Sequence, residues 1–154
     1  MRPGPRIDLP TRVALLRISF GLLWAVDAWL KWQPAFSAGY LGYLRDAAAR
    51  QPAALKPWFD LWLRLVGLDP ALFAFLTALA ETMIAAGLLL GLARRFDYAA
   101  GFLLSLLIWT TAEGFGGPYT AAGTGVRGNV LGNVLIYLIP FVFLWIAERP
   151  PRHD

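Results

Sequence analysis

Five side chains in this chain could hold charge or exchange a proton inside an apolar setting: Arg17, Asp27, Lys31, Glu81 and Glu113. Glu81 is the sharpest case, because it is the one charged residue in the otherwise apolar stretch 72–92. A solitary charge in lipid costs about 2.5–3.5 kcal/mol on insertion scales, so this carboxyl must be neutral or face a protein interior beside a base or donor. Ala74, Thr77, Ala78, Ala85 and Leu88 share its side at helical spacing, which points it at another helix. Arg17, the permanent base deepest in another apolar run, is its expected partner.

Counting the rise per residue from each helix start places Glu81, Tyr137 and the reach of Arg17 near one depth. The same count gathers Asp27, Lys31, Glu113, Asn129 and Asn133 nearer the outer surface, with Trp24 and Trp109 beside them. Asp27 and Lys31 stand four apart and can pair, and Arg127 can supply a base for Glu113. One reading is a polar cavity open to the outside, in which Glu81 and Glu113 move protons and aromatic rings hold a flat ligand such as a quinone. The other is that Arg17 with Glu81, and Asp27 with Lys31, are structural pairs that fix helix register. Both stay open at this point.

Composition narrows the chemistry. The chain has no cysteine, which removes disulfides and thiolate sites, and its single histidine, His153, sits in a polar tail. No metal site and no bis-histidine haem are expected. The net charge of +4 sits at ends and turns rather than along a solvated stripe, so it argues for topology and against nucleic acid as a partner.

The elements that must position these groups are helices in a lipid bilayer. With 58% hydrophobic and 16% charged residues in 154, the chain is too apolar for water and fits one integral membrane domain, residues 1–154. The expected fold is all-α: a four-helix transmembrane bundle with spans at about 12–32, 71–92, 97–113 and 128–146. Thr11 is the expected N-cap of the first span, and Pro140 is expected to kink the last. A basic start before an apolar run also fits a signal peptide, with a weak cleavage pattern at Val26-Asp27-Ala28, but Trp24, Trp29 and Trp32 read as an interfacial anchor.

Residues 33–69 are too polar to cross. Tyr40, Tyr43, Leu44 and Ala47 share one helical face, and Trp58, Leu61, Trp62 and Leu65 another, which predicts one or two short amphipathic helices in the first outer loop. Asn129, Asn133 and Tyr137 follow at four-residue spacing in the last span. Arg2, Arg6 and Arg12, the Arg94-Arg95 turn, and Arg149 with Arg152 fall on one side, which the positive-inside rule makes cytoplasmic; both termini are therefore expected there, in the cell inner membrane.

Several of these residues resemble a known family. Arg17-Ile18, Gly21, Lys31 closing the first span, Glu81, and Leu89-Leu90-Gly91-Leu92 leading into Arg94-Arg95 resemble the DoxX-like four-helix membrane proteins. The run Ala112-Glu113-Gly114-Phe115-Gly116-Gly117-Pro118-Tyr119-Thr120, with Ile136-Tyr137, resembles the DoxD branch, the small membrane subunit of thiosulfate:quinone oxidoreductase. The resemblance implies Arg17, Lys31, Glu81, Glu113 and Tyr119 as motif residues, a quinone as electron acceptor and a second oxidoreductase subunit as partner. The competing expectation is a non-enzymatic carrier or scaffold whose polar cavity takes a small solute or docks a protein.

Overall fold

In the computed structural model, which describes residues 8–117 and 132–148, all regular structure among the described residues is helical. The order is α1 Leu9–Lys31, α2 Pro34–Ala49, α3 Lys56–Leu68, α4 Pro70–Leu90, α5 Arg94–Thr110 and α6 Leu138–Ala147. Short 3-10 turns lie at Ala53–Leu55, Gly114–Gly116 and Leu135–Tyr137.

Proline starts four of these helices. Pro10, Pro34, Pro57 and Pro70 each occupy a first turn, where the missing N–H has no intrahelical acceptor to lose. Asp8, not Thr11, caps α1: its Oδ1 accepts from the Thr11 backbone N–H at 3.1 Å, and the Thr11 hydrogen bonds hold its carboxyl below the usual range. Asp69 caps α4 in the same way, accepting from Leu72 N at 3.0 Å.

The last apolar run departs from expectation. Among the described residues it is α-helical only from Leu138, after a turn at 132–134 and the 3-10 turn. Pro140 therefore falls in the first turn of α6 and is no kink in a longer helix. Asn133 and Tyr137 consequently share no α-helical face, and Asn129 lies outside the described residues.

Helix α1 packs along the length of α4. Arg17 meets Leu88 at one end while Lys31 meets Glu81 and the Trp32 ring meets Phe75 at the other, so the two run antiparallel. Contacts then pass from α4 to α5, from α5 to α6, and from α6 back to α1, whereas the backbones of α1 and α5 stay apart across the ring. The four make a closed ring around Phe20, Trp24, Ile84, Leu88, Tyr98 and Phe141. Gly101 makes the α5–α6 contact possible, since a Cβ there would overlap the Phe141 ring. The predicted inner face of α4 is the buried one: Ala74, Ala78, Glu81, Ala85 and Leu88 are all shielded.

Helices α2 and α3 cover one end of the ring around a second core of Leu44, Phe59 and Val66. The buried stripe of α3 lies one residue along from the predicted one: Phe59 and Val66 face inward, and Leu61 and Leu65 are exposed. α3 is apolar on two sides, which blurs the single stripe that spacing alone suggests. The outside of the ring is apolar as well, with Leu22, Val26 and Trp29 on α1, Met83 on α4, Leu103 on α5 and Ile139 on α6 exposed. Helices α1 and α4 are long and apolar enough to cross a membrane; α5 has 17 residues and α6 has 10.

Candidate functional site

Three charged side chains meet where α1 ends against the middle of α4. Lys31, in the last turn of α1, places Nζ 3.0 Å from Asp27 Oδ1 and 3.7 Å from Glu81 Oε2. Asp27 is one helical turn before Lys31, so helix geometry sets that pair, and the packing of α1 on α4 sets the other. Glu81 has no solvent exposure, and neither of its oxygens has a hydrogen-bond partner among the described residues. Two carboxylates thus share one ammonium, and the deeper one retains its capacity to accept hydrogen bonds.

Helix α2 closes this cluster from the side. Lys31 Nζ lies 5.4 Å from the centroid of the Phe36 ring, and Tyr40 is hydrogen-bonded to Thr77 Oγ1 at 2.8 Å. Thr77 gives its own proton to the Phe73 carbonyl at 2.9 Å, so Tyr40 is the donor in the first bond. Burial, with the nearby Glu81 charge in support, raises the Tyr40 hydroxyl above its ordinary range.

Beside the cluster is a cavity of about 100 Å3 into which five helices contribute. Lys31, Phe36, Tyr40, Trp62, Thr77 and Leu107 are among the residues lining it. The Nε1–H of Trp62 is buried without a partner among the described residues. With Lys31 that makes two nitrogen donors among the lining residues, the rest being rings, aliphatic groups and the hydroxyls of Tyr40, Tyr43, Thr77 and Thr111. Such a wall suits a small, flat molecule that presents an acceptor such as a carbonyl oxygen.

The other sequence-predicted residues separate from this cluster. Arg17 is buried, but its Nη1 donates to the Leu88 carbonyl, two turns or about 10 Å along α4 from Glu81. The expected Arg17–Glu81 pair is therefore corrected to Lys31–Glu81: the Arg17 Nη1 is drawn to the open carbonyl end of α4. Trp24, expected near the outer surface, is a core residue against Phe20 and Phe141, with centroids 6.3 and 5.5 Å away. Tyr137 packs on the same rings, 5.9 Å from Phe20, and does not join Glu81.

Glu113 lies in a separate cluster. Its carboxylate accepts from the backbone N–H of Asn133 and of Val134 at 3.1 Å each, holding the turn that leads into α6. It is thus no surplus acid, because two amides satisfy it. Trp109 stands near this turn with its ring 5.2 Å from Phe115. Tyr119, Asn129 and Arg127 lie outside the described residues.

Tyr40, Trp62, Phe36 and Thr77 belong to the site and were not singled out for it by sequence. The available signal was that Tyr40 and Trp62 sat on the inward faces of the outer helices and Thr77 one turn from Glu81. Compared with known proteins, the chain matches no family model, and no curated protein or solved structure is similar to it.

Proposed function

We propose that this chain is a four-helix integral membrane protein of the DoxX-like kind, DoxD branch, and a quinone-interacting subunit of a membrane oxidoreductase acting on a small sulfur compound. The bilayer reading is supported by the apolar outside of the ring, since water-soluble monomers rarely expose such a belt on every helix. The inner-membrane orientation, with both termini cytoplasmic, rests on the basic ends and the Arg94-Arg95 turn.

One observation carries the chemistry: the Glu81 carboxyl, wholly shielded and without a hydrogen-bond partner among the described residues, stands 3.7 Å from a lysine that lines a ring-walled cavity. A quinone, when bound, accepts two electrons and two protons. In this reading Trp62 Nε1–H and Lys31 Nζ–H bind and orient the carbonyl oxygens. Phe36 and Tyr40 exclude water, Lys31 gives one proton to the reduced oxygen and is reprotonated by Glu81 in its acid form, and Asp27 holds the ammonium in position. The donors fit carbonyl chemistry. The volume is below the ~150 Å3 that encloses a benzene ring, so entry of a quinone ring requires the cavity wall to move outward.

That volume favours a second reading, a non-enzymatic carrier or scaffold whose cavity takes a smaller solute. Quinone reduction by the purified full chain with thiosulfate or sulfite separates the two. Under the first reading Glu81→Gln lowers turnover about 100-fold or more, the usual scale for losing a proton donor. No turnover with either donor, alone or with co-purifying subunits, leaves the second.

A further inference from the structure

The opposite end of the ring holds charges that the Glu81 site does not use. There α1 and α5 begin and α6 ends, around a cavity of about 390 Å3 lined by Leu9, Val13, Arg17, Arg94 and Glu148. Arg17 is more than nine-tenths buried, and its Nε has no partner among the described residues. Arg94 is half-exposed; its Nε donates to the Gly91 carbonyl at 3.3 Å and its Nη1 lies 3.5 Å from Glu148 Oε1.

We propose that this cavity binds a phosphate-class anion, with Arg94 at its mouth and Arg17 at its base. Among the described residues the acids at this end are three: Glu148 sits on Arg94, Asp97 lies in the field of Arg17, and Asp8 is occupied as the α1 cap. The Arg94–Glu148 contact is long and solvated on the arginine side, so a dianionic or bidentate phosphate competes with Glu148 for the guanidinium. Leu9 and Val13 give the cavity an apolar wall, which fits the glycerol and first methylenes of a phospholipid whose headgroup supplies the anion. The lipid source rests on the membrane reading above; the anion chemistry does not.

The test uses the full chain released from vesicles of equal phosphatidylglycerol and phosphatidylcholine, with retained lipid counted by native mass spectrometry. Phosphatidylglycerol should be retained over phosphatidylcholine about fivefold for each arginine engaged. Arg94→Gln should lower that preference and Glu148→Gln should raise it, and melting of each variant checks that it folds. A second arm compares melting in detergent with inorganic phosphate and with chloride at matched ionic strength. Stabilisation by phosphate without lipid preference makes a free anion the source and upholds the site. Equal retention of both lipids in wild type and variants, with no stabilisation by phosphate beyond chloride, overturns it. Neither arm depends on quinone turnover.

Discussion

Lys31 Nζ lies 3.7 Å from Oε2 of Glu81, joining the end of α1 to the middle of α4. The lysine side chain keeps 21% exposure while the glutamate has none, so the pair reaches from the rim of the cavity to its shielded interior. Removing the ammonium leaves two carboxylates facing one another. Lys31→Met is expected to destabilise the protein by about 2 kcal/mol, below the full cost of breaking a buried pair because Lys31 is partly solvated. Adding Glu81→Gln should recover part of that loss, read as a double-mutant cycle from melting in detergent.

Tyr40 gives a pH signature. Its folded-state hydroxyl titrates above the ordinary value of 10.0, so below pH 10 both states keep the proton and stability is unaffected. As pH rises past 10 the unfolded chain loses its proton first, and stability falls until the folded hydroxyl also ionises. Tyr40→Phe should cost about 1 kcal/mol at neutral pH through the lost bond to Thr77 and should flatten the alkaline decline. An alkaline decline of equal slope in the variant would assign it to other groups.

Glu113 separates a cap from a catalyst. As the acceptor for Asn133 and Val134, it should lose about 1 kcal/mol of stability on Glu113→Gln and about 2 on Glu113→Ala, with turnover per folded molecule unchanged. A turnover loss in Glu113→Gln at unchanged melting temperature would return it to the chemistry.

Gly101→Ala places a methyl group into the Phe141 ring and should destabilise by about 1–3 kcal/mol. Phe141→Leu in the same chain should restore much of it, because a smaller side chain gives the methyl room. The loss and its recovery are both read from thermal melts.

Topology can be read with single cysteines, since the natural chain has none. Arg95→Cys should react with a membrane-impermeant maleimide only after cells are opened. Asp60→Cys should react in intact cells. Labelling of both from the same side would overturn the multi-pass orientation.

Sequence made the Glu81 face of α4 legible because helical periodicity is a local property, and the small residues on that face are the buried ones. It also anticipated that Asp27 and Lys31 pair, for the same reason. The partner of Glu81 was not legible, because depth along a helix does not say which neighbouring side chain reaches across. Lys31 arrives from the C-terminal end of α1, while the Arg17 Nη1 reaches the carbonyl of Leu88 instead. Trp24 reads as an interfacial anchor by type, and only the closure of α6 against α1 puts it in the core. The role of Glu113 depends on backbone amides twenty residues away, which carry no side-chain signature.

Arg17 also ties together parts of the chain made at different times. The guanidinium emerges with the first helix, and the carbonyl that receives it belongs to a residue 71 positions later. Until the ribosome has added that length, the nascent first segment carries a charge for which α4 offers no acceptor. Under the membrane reading proposed above, lateral release of that segment into lipid before its mate exists carries the cost of an unpaired arginine, which favours insertion of the two as a joint event at the translocation machinery.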